Sequence, residues 1–281
     1  MEVQVLSSAC VNEGGSQAAF VIENGVGVRP QSDPDSVSLM RIYSDLAPWF
    51  HLLTHPSDYE EEADFIERVV DAVAAGPAST LLELGSGGGN NASHLKRRFT
   101  CTLTDLSPEM LALSSSLNPE SEHIQGDMRT LRLGRTFDAV LVHDAVMYLT
   151  TEDDLRAAIE TVAVHLRPGG VAVLLPDATL ESYAPGTDHG GHDSEDGRSL
   201  RYLEWTHAPV PGATTTEVDY VIVLREPGLP PRVVLDPHTV GLFPEATWRR
   251  LIGGAGLEIV DSGVDDPHED EHSVFVARRP A

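Results

Sequence analysis

Residues 81–89, Leu81-Leu82-Glu83-Leu84-Gly85-Ser86-Gly87-Gly88-Gly89, decide how the rest of the chain is read. An apolar run ending in an acid is stopped by glycine, which is the pattern of a buried strand delivered into a tight turn. Glycines let a backbone approach a ligand closely and take φ > 0. A helix that begins just after such a turn aims free N–H groups at whatever is bound. Alone, the stretch indicates a nucleotide-like ligand. A dinucleotide fingerprint would carry a third glycine at position 90, where this chain has Asn90.

Outward from the turn, short apolar runs alternate with amphipathic ones. Strands are expected at Thr80–Leu84, Thr100–Thr104, His123-Ile124, Phe137–Val142 and Val171–Leu175. Helices are expected at Asn91–Arg98, at Ser107–Leu117 with Ser107 as N-cap, and at Thr151–Leu166 with Thr151 opening it. This alternation is the signature of an α/β doubly wound parallel sheet covered on both faces. Upstream, Val37, Leu39, Met40, Tyr43 and Leu46 have helical spacing that ends at Ala47-Pro48. A second helix runs from a Ser57 cap through Val73. Residues 1–35 have no steady period and read as a flexible leader. Downstream, residues 178–198 read as a loop. Three β-like segments follow at about Leu200–His207, Thr215–Leu224 and Arg232–Val240, with no helices between them, so they must pair antiparallel. A helix at Pro244–Gly253 and strands at Leu257–Asp261 and Ser273–Ala277 close the chain. His268–His272 reads as a charged hairpin turn.

Three further motifs follow the glycine turn in order: Asp105 at the end of the second strand, Gly126-Asp127-Met128 after the third, and Leu166-Arg167-Pro168-Gly169-Gly170 before the fifth. In this order and spacing the chain resembles the class I S-adenosylmethionine-dependent methyltransferases over about Leu39–Ala277. Its layout is most similar to small-molecule enzymes of bacterial secondary metabolism such as the amino-sugar N-methyltransferases. Ile42-Tyr43, Val240-Gly241-Leu242-Phe243 and Ala255-Gly256-Leu257 add to that likeness. The resemblance implies a Rossmann-like seven-stranded sheet whose last strand is antiparallel, with an antiparallel β lid inserted after the fifth strand. The expected divisions are a leader at 1–35, a cofactor-binding core at 36–177, the lid at 178–240 and the end of the core sheet at 241–281.

The resemblance also implies roles. Glu83, Gly85 and Gly87 would hold the methionine end of S-adenosylmethionine, and Asp105 the ribose. Leu106 would pack by the adenine, and Asp127 and Met128 would read it. Tyr43 and Tyr59 would fold over the cofactor. His143 would lie near the methionine portion or the methyl group, and Tyr148 near the acceptor, where some relatives carry histidine. His143 is the expected base because an unperturbed imidazole titrates near neutrality. His238 could reach the site from the lid. The function this implies is methyl transfer from S-adenosylmethionine, the expected co-substrate, to an N or O atom of a small molecule. The alternatives are a non-methylating S-adenosylmethionine-binding relative or regulator and, less favoured, an NAD(P)-dependent oxidoreductase.

The chain has 281 residues, with 19 basic against 44 acidic ones for a net charge of -25. Such a surface repels phosphate backbones and anionic lipid, so neither nucleic acid nor a membrane is an expected partner. The expected partners are a small-molecule acceptor and a second copy of the chain. No apolar run is long enough to span a bilayer. Two cysteines, Cys10 and Cys101, make no disulfide framework, which fits a cytoplasmic location. His189 and His192 in Asp188–Asp193 invite a metal reading, but no cysteine joins them and no metal is expected. No G-x-S-x-G nucleophile elbow is present.

Overall fold

A computed structural model describes residues 21–22, 40–267 and 273–281. Cys10 and the charge run His268–His272 lie outside the described residues. So does the expected leader except for Val21–Ile22, which form a short strand, β1.

The first stretch after it differs from expectation. In place of a helix ending at Ala47-Pro48 there are 3-10 turns at Arg41–Tyr43 and Ala47–Trp49, then a four-residue helix α1, Phe50–Leu53. The apolar spacing is real, but tertiary contacts use it. Ile42, Leu46, Trp49 and Leu52 pack on Leu200, Ile222, Leu224 and Val234 of a second sheet. The carboxylate of Asp236 takes the backbone N–H groups of Arg41 and Ile42 at 3.0 and 2.9 Å, which supplies partners a helix would otherwise provide. Helix α2 spans Glu60–Val73 behind a 3-10 turn at Pro56–Tyr59. His55 caps that turn by accepting the Ser57 N–H, so Ser57 is not the cap.

The expected alternation then appears: β2 Thr80–Leu84, α3 Asn90–Leu95, β3 Thr100–Asp105, α4 Pro108–Leu117, β4 Glu122–Gln125, β5 Phe137–His143, α5 Glu152–His165 and β6 Leu166–Leu175. Ser107 and Thr151 cap α4 and α5 through their side chains. The remaining elements are β7 Gly186–Gly190, β8 Ser199–Thr206, β9 Thr215–Arg225, β10 Arg232–Gly241, α6 Glu245–Gly254, β11 Glu258–Ile259 and β12 Phe275–Arg278. The seven-stranded sheet runs β11-β12-β6-β5-β2-β3-β4. Its β6-β5-β2-β3-β4 part is parallel, while β12 is antiparallel to β6 and β11 to β12.

Both faces of this sheet are buried. Leu82, Leu84, Val140 and Val142 pack under α5 and α6, while Leu81, Ala139 and Leu141 pack under α2. Side chains alternate along a strand, so Glu83 and His143 must point to the α2 side. There they meet Glu62, on the buried stripe that α2 shares with Phe65, Ile66 and Val69.

The second sheet has the order β1-β10-β9-β8-β7. Strands β10 to β7 are antiparallel, and β1 is parallel to β10. Strand β7 falls inside the stretch read as a loop. Gly, Asp and His have low strand propensity, but an edge strand is held by backbone pairing to one neighbour. At Gly190 the Tyr202 ring lies so close that a Cβ would meet it at 2.9 Å.

Candidate active site

The eleven residues given cofactor-binding or catalytic roles from the sequence, Tyr59 among them, line one open cleft at the carboxyl ends of β2, β3 and β5. Strand order reverses there between β2 and its neighbours β3 and β5, the usual ligand position in a doubly wound sheet.

The glycine turn is built for close packing. Gly85 sits at φ +75, and a Cβ there would meet the Ala145 Cβ at 2.4 Å and the Met128 Cε at 2.9 Å. Gly89, at φ +79, caps α3. A Cβ on it would strike Asn118 and Ser114, both at 2.3 Å. Asn118, fully buried, donates to the Gly89 carbonyl at 2.9 Å and holds the turn from below.

Around the turn, four buried side-chain atoms have no protein partner: Glu83 Oε2, Ser86 Oγ, Asn90 Oδ1 and Asn91 Oδ1. Orphaned buried acceptors are rare and signal an absent donor. The amino end of a bound methionine group is such a donor. Burial pushes the Glu83 carboxyl up to about 8; Glu62 and Asp105 add to this, and His143 opposes it. A cation arriving there would restore its charge.

Asp105 is tied on both oxygens. Oδ2 accepts the Gly87 N–H at 2.8 Å and Oδ1 the Ser107 N–H at 2.9 Å. Burial raises this carboxyl and those N–H groups pull it back. Each oxygen keeps a lone-pair direction for a hydroxyl donor. Next to it Leu106 is 39% exposed, an apolar side chain without cover that suits a flat ring. Asp105 and Leu106 thus offer a polar and an apolar contact side by side, and the cleft fits the nucleoside part of S-adenosylmethionine as well as its amino-acid end.

Two expected residues have company that the sequence did not disclose. The Arg129 guanidinium grips Asp127, with Nε 2.9 Å and NH2 2.7 Å from Oδ2, and it also reaches Asp154 at 3.1 Å. Burial would lift Asp127, but the Arg129 bonds outweigh it and keep the carboxyl below its usual range. The carboxylate is therefore largely engaged already. An i, i+2 Asp-x-Arg pair in a turn was the only local signal for this.

His143 differs more sharply from expectation. Its Nε2 lies 3.0 Å from Glu62 Oε2 and 3.1 Å from Asp144 Oδ1. Burial pulls the imidazole down, but Asp144 and Glu62 outweigh it and push its pKa up to about 10. The two carboxylates favour the protonated ring, which has no lone pair to accept a proton, whereas the residue type alone suggested a base near neutrality. Glu62 was missed because it reads as the polar side of an amphipathic helix. Its position three residues before buried Phe65 was the available clue.

Tyr59 receives a hydrogen bond from Thr54 at 2.9 Å and sets its ring edge-on to His143, with centroids 5.9 Å apart. Tyr43 and Tyr148 share a hydroxyl hydrogen bond of 2.8 Å at the cleft wall, and Tyr148 continues to His238 Nδ1 at 3.0 Å. His238 does not line the cleft but is buried directly behind Tyr148. His192 pairs with Asp58 at 3.1 Å instead of facing the cleft.

Comparison with known proteins agrees with this geometry. The family described as "Methyltransferase domain" matches residues 81–170. The dTDP-3-amino-3,4,6-trideoxy-alpha-D-glucopyranose N,N-dimethyltransferase of Streptomyces venezuelae is 34% identical over 220 residues, 77% of this chain and 90% of that one. The dTDP-3-amino-3,6-dideoxy-alpha-D-glucopyranose N,N-dimethyltransferase of Streptomyces fradiae is 31% identical, over 72% of this chain and 78% of its own. Among solved structures, DesVI of Streptomyces venezuelae superposes with a TM-score of 0.73 at 29% identity, over 85% of this chain and 98% of that one. A SAM-bound amino pentose methyltransferase of Micromonospora echinaspora superposes with a TM-score of 0.66 at 29% identity, over 79% and 91% of the two chains. The chain belongs to the class I S-adenosylmethionine-dependent methyltransferases, in the group that includes the amino-sugar N-methyltransferases.

Proposed function

We propose that this enzyme methylates the amino nitrogen of a deoxyamino sugar destined for a secondary metabolite. The observation that carries this reading is the hydroxyl pair of Tyr43 and Tyr148, 2.8 Å apart on the wall of the cleft that holds the glycine turn. Burial pushes both phenols well above their ordinary range, so they stay neutral and offer oxygen lone pairs to an N–H donor. The names of the two most similar relatives given above, both N,N-dimethyltransferases of amino sugars, support the same acceptor class.

The proposed division of labour follows the cleft. Glu83 and the orphaned acceptors beside it take the amino end of the methionine group, and the glycine turn lets it come close. Asp105 takes the ribose hydroxyls and Leu106 covers the adenine. Met128, rather than the arginine-bound Asp127, is then the better contact for the adenine ring. Tyr43 and Tyr59 close over the cofactor, and the β7–β10 sheet serves as a lid over the acceptor. The bound cofactor supplies a methyl carbon made electrophilic by a sulfonium. The protein aligns the amine behind that carbon and excludes water, and such positioning is worth roughly 7–11 kcal/mol. His143, as a cation, orders Glu62 and Asp144 around the site and takes no proton.

The same reading has the enzyme act in the cytoplasm, on a small molecule and not on nucleic acid or membrane. The free buried thiol of Cys101 and the lack, among the described residues, of a helix able to cross a membrane support this. A homodimer is part of the proposal. Trp205, Leu203 and Leu235 are exposed on the outward pleat of the second sheet and would suit a like face.

The test is a labelled-methyl transfer assay with the dTDP-3-amino sugars of the two relatives, set against phenolic acceptors. Transfer to the amines with successive mono- and dimethyl products is expected. Transfer confined to phenols would overturn the amine reading.

A further inference from the structure

We propose that His238 is the proton-accepting end of a buried relay, from Tyr43 through Tyr148 to His238, that deprotonates the acceptor amine. The inference rests on the amine reading above.

An alkylamine near neutrality is an ammonium ion, as the ordinary lysine pKa of about 10.4 illustrates. It has no lone pair until a proton leaves, and a cleft that excludes water must give that proton a route. His143 lies against Glu62 and Asp144, at 3.0 and 3.1 Å, which favour its protonated form and disfavour uptake of a further proton. The two cleft tyrosines can pass a proton but are poor places to keep one. Behind them stands an imidazole on the inward pleat of β10, with its side chain 2% exposed.

The hydrogen bonds give this chain a direction. His238 Nε2 is 3.3 Å from Asp236 Oδ2, off the line of a hydrogen bond but facing an oxygen that only accepts. The relay places the ring proton on Nε2, beside that oxygen, and the lone pair on Nδ1. With that tautomer, Tyr148 donates to Nδ1 across 3.0 Å and Tyr43 donates to Tyr148 across 2.8 Å. The free lone pairs of the chain end on Tyr43 Oη, in the cleft, where an ammonium N–H can be accepted. Asp236 is itself held by the Arg41 and Ile42 N–H groups, so its position is set by the same segment that carries Tyr43. Tyr220 closes the other side, its ring 4.9 Å from the imidazole, and Glu204 faces His238 from β8. The groups around the imidazole are thus three phenols and two carboxyls.

In the proposed step an N–H bond of the ammonium breaks and its proton joins Tyr43 Oη. The Tyr43 hydroxyl proton moves to Tyr148 Oη, and that of Tyr148 to His238 Nδ1. The freed nitrogen pair forms the N–C bond as the C–S bond breaks, and those electrons stay on sulfur as a neutral thioether. The product is a methylated ammonium, and once it leaves, the proton on His238 passes back along the chain to water entering the opened cleft. A second methylation repeats the step.

His238 acts through Tyr148, so its test must separate proton uptake from positioning. In His238→Asn the side-chain oxygen can still take the Tyr148 hydrogen bond but cannot hold a proton. With dTDP-3-amino-3,4,6-trideoxyglucose as acceptor, kcat near neutrality should fall roughly 100-fold. KM and S-adenosylhomocysteine affinity should stay within about threefold, because no binding contact is lost. The acid limb of the kcat profile should give way to a rate that climbs until the amine deprotonates unaided. Wild-type kcat and pH profile in the variant would overturn the relay. Nitrogen-15 spectra of the imidazole test the chain without any acceptor. They should show Nδ1 unprotonated and shifted by Tyr148→Phe. A proton on Nδ1, or no response to Tyr148→Phe, also overturns it. If the wild-type enzyme methylates no amino sugar, the amine reading fails, and the relay's use falls with it, while the spectra still decide whether the hydrogen-bonded chain exists.

Discussion

Gly87 donates its backbone N–H to Asp105 Oδ2 at 2.8 Å, which fastens the glycine turn after β2 to the acid that ends β3. The bond joins the two motifs from which the cofactor reading began. Asp105→Ala should weaken S-adenosylhomocysteine binding about tenfold or more, since a hydrogen bond to a charged group is worth about 1.5–3 kcal/mol. Asp105→Asn keeps an acceptor and should lose less. Calorimetric titration measures both, and equal affinity in the alanine variant would remove Asp105 from the ribose contact.

Leu106 offers a contrast because its side chain is 39% exposed. Leu106→Ala removes little buried core, so the melting temperature should hardly change. Cofactor affinity should drop by about 1–2 kcal/mol, the cost of the apolar area no longer covered when the ring binds. A fall in thermal stability without a fall in affinity would mean that Leu106 packs on the protein and not on the ligand.

Gly85 and Gly253 differ in what a methyl group would meet. At Gly85 the Cβ overlaps Ala145 and φ is +75, whereas at Gly253, in the last turn of α6, nothing lies within 4 Å. Gly85→Ala should cost roughly 1–3 kcal/mol of stability and remove cofactor binding. Gly253→Ala should stabilise by up to about 1 kcal/mol through helix propensity. Denaturant melts of the two variants give the comparison directly.

The cluster of Glu83, Glu62 and His143 makes stability depend on pH. His143 rises from 6.5 to about 10 on folding, because Asp144 and Glu62 overcome the burial that would lower it. Glu83 rises from 4.5 to about 8, chiefly through burial. Over the interval between each pair of values the folded state binds more protons than the unfolded one, so stability falls as pH rises. The His143 contribution is complete below 6.5 and gone above about 10. Melting temperature should decline across that window, and His143→Gln should flatten the decline above 8. A rising or level wild-type curve would contradict the charge state of His143 and reopen its role as a base.

Much of the α/β core was legible because its signals are local. Ser107 and Thr151 cap helices where their residue type and spacing indicated. The apolar runs at 80–84 and 137–142 form strands because a strand covered on both faces is apolar throughout. The segment around Tyr43 misled because its helical spacing is used by the second sheet, and Asp236 from nearly two hundred residues away satisfies its backbone. Strand β7 was hidden because its order comes from β8 and not from its own side chains. In the cleft, the positions of Glu83 and Asp105 followed from strand ends. The environments of His143 and Asp127 did not, since Glu62 and Arg129 look like ordinary surface charges in the chain.

By itself the sequence determined the order of strands and helices from Thr80 to Leu175 and the place of the cofactor turn, because strand and helix periods and glycine stops act over a few residues. Tertiary structure decided the pairing of His143 with Glu62 and Asp144, the engagement of Asp127 by Arg129, and the line from Tyr43 through Tyr148 to His238. Protonation and hydrogen-bond direction depend on what burial removes from water and on which distant groups are brought within about 3 Å, and no local pattern in a chain encodes that.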